Sequence, residues 1–179
     1  MIEKQDFNQK LVVAIAAIGE QKTYGKGETI LNAGETEQHV YFIESGAVRL
    51  SLLSDKDDQT IRLGYKGQMI VSLSSYLNQT PSEFSLESIR KTVLKRVTKA
   101  QLEQFIYQDA DSAKGYIGLL EDMLTELMER EVDLLTASPV ERMNRVLKRS
   151  PGLFREIPLK YIASYFRMTP ETLSRIRNS

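Results

Sequence analysis

Polar side chains dominate the last eleven residues of the chain, where only Leu173 and Ile176 are of the type that packs into a core. The residues of this segment that could contact a nucleic acid are Thr169, Pro170, Glu171, Thr172, Ser174, Arg175 and Arg177. An arginine can donate two hydrogen bonds to guanine O6 and N7, and a glutamate can accept one from cytosine N4. Glu171 and Arg175 stand one helical turn apart, so we expect them to read bases. The hydroxyls and Arg177 are expected to hold phosphates.

Two short helices are predicted to position these side chains. Apolar residues spaced i, i+3, i+4 and i+7 define one face of the first helix, and they are Leu159, Ile162, Ala163 and Phe166. Pro158 suits the start of that helix, where a missing N–H costs little. Thr169 is a good N-cap for the second helix and Pro170 suits its first position. Glu171 could instead serve the helix dipole. The pattern predicts a helix-turn-helix, which inserts its second helix into the major groove of DNA.

The charge of the chain is unevenly distributed along its length. The total is neutral, with 24 Lys and Arg against 24 Asp and Glu. Residues 139–179 carry nine basic and three acidic side chains, whereas residues 1–138 carry fifteen basic and twenty-one acidic ones. A basic end on an acidic body favours contact between that end and nucleic acid. Solvated Lys and Arg on short helices are the alternative explanation of the charge alone.

Composition excludes several kinds of chemistry. Cysteine is absent and His39 is the single histidine, so thiolate catalysis and metal sites built on several imidazoles are ruled out. No cofactor is expected, and His39 is expected at the surface. The longest apolar run, residues 11–18, is too short to span a bilayer. Glu3 and Asp6 precede that run and argue against a signal peptide, so a cytoplasmic location without membrane contact is expected.

Short strands and turns fill the first half of the chain after a helix predicted at residues 1–22. The predicted strands are residues 29–31, 40–43, 47–53, 60–63, 84–89 and 93–97. A polar hairpin tip is predicted at residues 54–58, and Ser45-Gly46 supplies another turn. Many short strands at close and regular spacing predict an antiparallel roll or sandwich.

A long helix of about residues 110–136 follows the roll. Apolar residues occur in it at alternating steps of three and four, namely Ile117, Leu120, Leu124 and Leu127. We expect this stripe to pack against a second copy of the chain; the alternative is a core helix within one subunit. Ser138-Pro139 then breaks the chain and starts a helix with the stripe Val140, Met143, Val146 and Leu147. The predicted domains are therefore residues 1–137 and residues 138–179.

The order of these motifs resembles the Crp/Fnr family of bacterial transcription regulators over nearly the whole chain. Residues 26–31 read Lys-Gly-Glu-Thr-Ile-Leu, and residues 40–50 read Val-Tyr-Phe-Ile-Glu-Ser-Gly-Ala-Val-Arg-Leu. Residues 161–166 and 168–177 match the family's DNA-reading helix pair. The resemblance implies an α+β fold with an N-terminal antiparallel β-roll (a cupin-like jelly roll), a long dimerisation helix and a small C-terminal helix-turn-helix domain. The implied partners are operator DNA, a second copy in a homodimer, and an unidentified small-molecule effector.

The phosphate-binding cassette of nucleotide-binding family members is degenerate in this chain. The place of the family's Gly-Glu pair reads Val71-Ser72, and the place of its arginine holds Pro81 or Ser82. No basic side chain lies between residues 66 and 90 of the sequence. A semi-buried phosphate needs a fixed cation or several N–H donors, so cyclic nucleotides are not expected to bind. Ser72, Ser74, Ser75 and Ser82, near Val71, could still hold a neutral polar ligand.

Two further departures concern the helix-turn-helix. Arg167 stands where the family's tight turn usually has glycine, so we expect either a looser turn or a phosphate contact by Arg167. The sequence ends directly after the second helix, so the family's β-hairpin wing is expected to be missing. Both departures leave a rival interpretation open, a sensor or interaction module of the same fold that has lost DNA binding. A cupin-type enzyme is the second rival, and it is disfavoured by the single histidine.

Overall fold

The roll precedes most of the helices along the chain. The computed structural model describes residues 2–53 and 58–178, with side chains from Phe7 onward. In chain order the elements are α1 (Ile2–Ile18), β1 (Glu20–Tyr24), β2 (Thr29–Leu31), β3 (His39–Ser45), β4 (Ala47–Leu52), β5 (Gln59–Tyr65), β6 (Met69–Ile70), α2 (Leu73–Asn78), β7 (Phe84–Ser88), β8 (Thr92–Thr98), α3 (Lys99–Ile106), α4 (Ala110–Leu135), α5 (Pro139–Arg149), α6 (Leu153–Glu156), α7 (Leu159–Tyr165) and α8 (Pro170–Asn178). The predicted α+β fold with an antiparallel roll is confirmed.

Two four-stranded antiparallel sheets form the roll, with strand orders β1-β8-β3-β6 and β2-β7-β4-β5. Alternate side chains of both sheets point inward, and Ile43, Val48, Leu86 and Leu94 are fully buried between them. The six predicted strands are confirmed to within two residues at each end. The predicted hairpin tip at residues 54–58 lies, apart from Asp58, outside the described residues.

The helix predicted at residues 1–22 is wrong in its last part, because α1 ends at Ile18 and β1 follows. Gly19 closes the helix by donating its N–H to the Ile15 carbonyl at 2.8 Å. A Cβ at Gly19 would lie 2.4 Å from that same oxygen, so a larger residue does not fit this close turn. β1 then pairs antiparallel with β8 along its whole length. β6 and α2 were not predicted.

The long helix α4 begins and ends close to the predicted bounds. Its N-cap Asp109 accepts a hydrogen bond from the Ser112 N–H at 2.7 Å. One face packs on α1, so closely that a Cβ at Gly115 would lie 2.3 Å from the Phe7 ring. The predicted stripe is on the other side of the helix. Ile117, Leu124 and Leu127 are 57%, 62% and 41% exposed and Leu120 is half-buried, so the described part of the subunit does not bury this stripe.

The C-terminal helices share a hydrophobic core with the roll. Ser138 caps α5 by accepting from the Glu141 N–H, and Pro139 occupies the first turn, as the sequence predicted. Met143 and Val146 of α5 are buried, but Val140 is 48% exposed, so its assignment to the buried stripe was wrong. The buried members of the shared core are Ala47, Ile89, Met143, Val146, Leu153, Ile157, Ile162, Ala163, Phe166 and Leu173. Apolar packing therefore crosses the boundary predicted at residue 138. No helix of the described residues is long and apolar enough to cross a membrane.

Candidate nucleic-acid interface

The turn between α7 and α8 is tight, although it holds an arginine. Arg167 has a positive φ of 57°. Its N–H donates to the Ser164 carbonyl at 3.0 Å, and the Met168 N–H donates to the Ala163 carbonyl at 3.0 Å. These paired bonds form the helix-ending arrangement that usually places glycine at the left-handed position. The expectation of a looser turn was wrong, because two hydrogen bonds and the buried Phe166 beside it compensate a strain of roughly 1 kcal/mol.

Thr169 caps α8, as the sequence predicted. Its hydroxyl oxygen accepts a hydrogen bond from the Thr172 N–H at 3.2 Å and lies 3.2 Å from the Thr172 hydroxyl. Glu171 follows in the first turn, and its own backbone N–H donates to the carboxylate, which lowers the pKa of this residue below its ordinary value. Glu171 is therefore ionised at neutral pH and can act as a hydrogen-bond acceptor. The cap also holds the Thr169 hydroxyl, which limits its part in holding a phosphate.

The outward face of α8 brings together the two predicted base-reading residues. Leu173 is fully buried and anchors the helix, and Ile176 is half-buried. The residues bordering the shallow surface groove beside the helix are Leu159, Pro170, Glu171, Ser174, Arg175 and Asn178. Asn178 lies seven residues beyond Glu171 and borders the same groove. Thr172 is half-buried, whereas the guanidinium carbon of Arg177 lies 5.8 Å from the Phe154 ring centroid, on another side of the helix.

Three arginines of α5 face other parts of the chain. Arg142 donates to the Phe166 carbonyl at 2.6 Å and to the Thr136 carbonyl at 2.7 Å. Arg145 pairs with the fully buried Asp133 of α4 at 2.8 Å, and Arg149 pairs with the same carboxylate. These cations hold the joint between α4 and α5. Three of the nine positive charges of residues 139–179 are these arginines, so fewer charges face outward than the count of basic residues indicates.

The end of α7 is also fixed to the long helix. Arg130 of α4 donates to the Tyr165 carbonyl, and its guanidinium carbon lies 3.7 Å from the centroid of the Tyr165 ring. Burial lowers the pKa of Arg130 from its ordinary value. Because Arg130 and Arg142 hold successive carbonyls at the end of α7, the orientation of the helix-turn-helix follows that of α4. No sequence pattern indicated this joint, since arginine on a helix is usually solvated.

A cleft of about 690 Å³ lies at the border where the helix-turn-helix meets β4 and β5 of the roll. Its lining residues are Arg49, Asp58, Gln59, Lys160, Tyr161, Ser164, Arg167, Met168, Thr169 and Pro170. The guanidinium of Arg167 donates to the side-chain oxygen of Gln59. Arg49 stacks over the Tyr161 ring at 5.0 Å and pairs with Glu87 at 2.6 Å, so its charge is already compensated.

The predicted ligand residues of the roll are only partly assembled. Ser72 and Ser82 are buried, and their hydroxyl oxygens lie 2.8 Å apart. Val71 is half-buried beside them, whereas Ser74 is exposed and is not brought together with Ser72 and Ser82. A part for Ser74 in a ligand site stays a prediction. Ser75, one residue further along α2, is buried and accepts from the Glu37 N–H at 2.9 Å. Helical periodicity explains the difference, since Ser72 and Ser75 share a side of α2 and Ser74 does not.

A carboxyl group that the sequence analysis missed lies under α2. The side chain of Glu37 is fully buried, and one oxygen accepts from the His39 N–H at 3.0 Å and from the Tyr41 hydroxyl at 3.2 Å. The other oxygen has no hydrogen-bond partner among the described residues. Burial raises the pKa of Glu37 above its ordinary value. An acid in this place makes the surroundings of Ser72 and Ser75 less favourable for a phosphate.

We expect cyclic AMP and cyclic GMP to show no saturable binding to the protein. The positions of the family's cassette hold Ser72 and Ser82, which bind each other, and Glu37 adds a buried acid nearby. Isothermal titration calorimetry at about millimolar nucleotide would detect even a dissociation constant near 1 mM, about a thousandfold weaker than that of a micromolar site. A one-to-one isotherm with micromolar affinity would contradict this expectation.

Comparison with known proteins agrees with the architecture. Residues 21–109 match the family model of the cyclic nucleotide-binding domain. Among solved structures, the chain is similar to FixK2 from Bradyrhizobium japonicum, with 24% identity, a TM-score of 0.75, and coverage of 90% of this chain and 83% of that one. A transcriptional regulator of the CRP family from Thermus thermophilus has 19% identity, a TM-score of 0.63, and coverage of 88% of this chain and 82% of that one. No curated protein sequence matches the chain significantly.

A third similar structure is that of a regulator whose description names the ligand c-di-GMP. The c-di-GMP responsive global regulator CLP of Xanthomonas campestris has 14% identity, a TM-score of 0.66, and coverage of 95% of this chain and 90% of that one. Sequence identities this low show a shared fold, the roll followed by the C-terminal helices. The family model matches the roll itself, and neither comparison assigns a ligand to this chain.

Proposed function

We propose that this protein is a dimeric, non-enzymatic transcription regulator of the Crp/Fnr type that binds operator DNA without responding to cyclic AMP. The observation that carries the proposal is the second helix of the helix-turn-helix. It is held by Leu173 and exposes Glu171, Ser174 and Arg175 on one side. A helix attached by few residues and polar on its free side fits the major groove.

The exposed stripe of α4 supports the dimer. Ile117, Leu124 and Leu127 are large apolar residues on one side of a helix whose other side packs on α1. A contiguous apolar stripe of this kind marks an interaction surface, and the alternating spacing of three and four fits a helix from a second copy. Two such subunits related by a two-fold axis would present two recognition helices, with half-sites about one helical turn apart.

A sensor or interaction module that has lost DNA binding is the second candidate. The contact between Arg167 and Gln59 favours it, because the turn of the helix-turn-helix faces the roll. A gel-shift assay with the promoter region of the chain's own gene separates the two candidates. A shifted band that competitor DNA of random sequence does not remove supports the regulator, and its absence at high micromolar protein supports the module.

Arg175 is expected to carry sequence discrimination and Arg177 general affinity. Loss of a two-bond contact to guanine in Arg175→Ala should cost about 1–3 kcal/mol at one base position and leave binding to scrambled DNA nearly unchanged. Arg177 lies toward Phe154, away from the groove side of α8, so Arg177→Ala should weaken all sequences alike and reduce the salt slope by roughly one unit. Binding to a selected operator and to scrambled DNA would be measured at several salt concentrations.

Lys148→Ala is the matched control, since it removes one exposed positive charge from α5 outside the helix-turn-helix. Its effect should be small on both kinds of DNA. If Arg175→Ala weakens operator and scrambled DNA equally, Arg175 is a phosphate contact and the assignment of the base-reading residue is wrong.

A further inference from the structure

The free edge of one sheet of the roll is covered by the helix-turn-helix. β5 is the last strand in the order β2-β7-β4-β5, so no strand of the described residues pairs with the backbone groups on its outer edge. The Ser164 hydroxyl of α7 satisfies two of them. It accepts from the Thr60 N–H at 3.0 Å and donates to the Asp58 carbonyl at 3.3 Å. The Gln59 side chain accepts from the guanidinium of Arg167 in the turn.

Apolar packing reinforces these hydrogen bonds. Leu63 and Tyr65 of β5 contact the same core that contains Met143, Ile162 and Phe166 of the C-terminal helices. The contact between β5 and the helix-turn-helix therefore consists of a shared apolar core and of hydrogen bonds at the edge of that core. This contact removes apolar side chains of both parts of the subunit from water, which favours it in the absence of DNA.

This contact occupies the side of the helix-turn-helix where a DNA strand has to pass. Phosphates flanking a recognition helix bind at its N-terminus and at the preceding turn. Here Thr169, Pro170 and Lys160 line a cleft whose opposite wall is Asp58 and Gln59. The Arg167 guanidinium is bonded to Gln59, so in this arrangement it is not available to a phosphate. The Asp58 carboxylate on the opposite wall is paired with Arg49 at 3.0 Å.

We infer that the β5 edge, residues 58–60, is an autoinhibitory element that competes with the DNA backbone for the turn of the helix-turn-helix. The inference rests on the proposed function, since it supposes that the same turn can bind DNA. Two arrangements follow, a closed one in which Arg167 bonds to Gln59 and an open one in which the turn meets phosphates. The apparent dissociation constant for DNA is then the intrinsic one divided by the fraction of open protein.

The absence of cysteine in the sequence allows a direct test by crosslinking. Gln59→Cys and Ser164→Cys together place one thiol on each wall of the contact, and a short bismaleimide with a reducible linkage joins them. The crosslinked protein is expected to bind a random-sequence duplex at low salt at least about tenfold more weakly than the same protein after reduction of the linker. Reduction cleaves the linker and leaves both substituted positions otherwise unchanged. The reduced protein is therefore the control for the crosslinked protein.

A second variant opens the contact without a crosslink. Gln59→Ala removes the acceptor that holds Arg167, and the expected result is a severalfold tighter binding to the same duplex. Gln21→Ala is the matched control, because Gln21 is exposed on β1 of the other sheet. Equal affinities of the crosslinked and reduced forms would overturn the autoinhibitory role and leave the proposed function standing. If the reduced form and Gln59→Ala both fail to bind any DNA, the proposed function itself is overturned.

Discussion

Replacing Leu124 by lysine is expected to convert the dimer into a monomer without unfolding the subunit. Leu124 is 62% exposed on α4, so a lysine there remains in water as long as the subunit is alone. In the proposed dimer each copy would bury an unpaired ammonium at the seam, at a cost of about 3–5 kcal/mol for each charge. The dimer dissociation constant should rise by at least about a hundredfold. Sedimentation velocity over the micromolar range measures this change.

Leu53→Lys is the control for Leu124→Lys, since Leu53 is 54% exposed beyond the end of β4, outside the proposed seam. It should leave the sedimentation coefficient unchanged. Thermal unfolding of both variants should stay close to that of the parent protein when extrapolated to the monomer. A parent protein that sediments as a monomer at high micromolar concentration, or a Leu124→Lys variant that still dimerises, contradicts the role assigned to this stripe.

Gly46→Ala is expected to destabilise the roll by about 3 kcal/mol or more. Gly46 has a φ of +91°, and a Cβ there would lie 2.6 Å from the Lys91 carbonyl oxygen and 2.6 Å from the Thr92 Cα. Both atoms belong to the backbone, so the turn before β4 and the chain entering β8 must move apart. That movement weakens the bonds from the Ala47 N–H to the Thr92 hydroxyl, at 3.1 Å, and from this hydroxyl to the Ala47 carbonyl, at 3.0 Å. Left-handed strain and overpacking each contribute about 1–3 kcal/mol.

Gly34→Ala separates these two costs. Gly34 has nearly the same φ, +89°, but no described atom lies within 4 Å of the position a Cβ would take. Only the left-handed strain should remain, about 1–2 kcal/mol. Urea unfolding of the three proteins gives the free energies of unfolding. Equal losses in both variants would mean that the close approach of Gly46 to β8 contributes nothing.

The local features of this fold could be predicted because short-range chemistry determines them. Ser138 and Thr169 cap helices through their own hydroxyls, and Gly46 turns a hairpin because it tolerates a positive φ. The strands of the roll follow from alternating apolar residues. β1 was missed because its sequence, Glu-Gln-Lys-Thr-Tyr, has no apolar alternation, and it is a strand only because β8 offers it a partner.

The candidate interface was predicted only in part. The outward position of Glu171 and Arg175 follows from helical periodicity once Leu173 is known to be buried. Helical periodicity also predicts an exposed face for three arginines of α5, namely Arg142, Arg145 and Arg149, but these side chains bind other parts of the chain. Their partners are the Phe166 carbonyl and Asp133 of α4. No pattern within α5 indicates which of its cations meet a partner of that kind.

The sequence alone determined the order of the six predicted strands, the bounds of α4, the caps of α5 and α8, and the apolar spacing along α4. Each of these depends on residues within about one or two turns of each other. Only the tertiary structure decided that Glu37 is buried under α2 and that Ser164 lies on Thr60, 104 residues away in the chain. Such contacts depend on how whole elements pack, because a side chain's neighbours across a core are set by the volume and shape of all the residues between them.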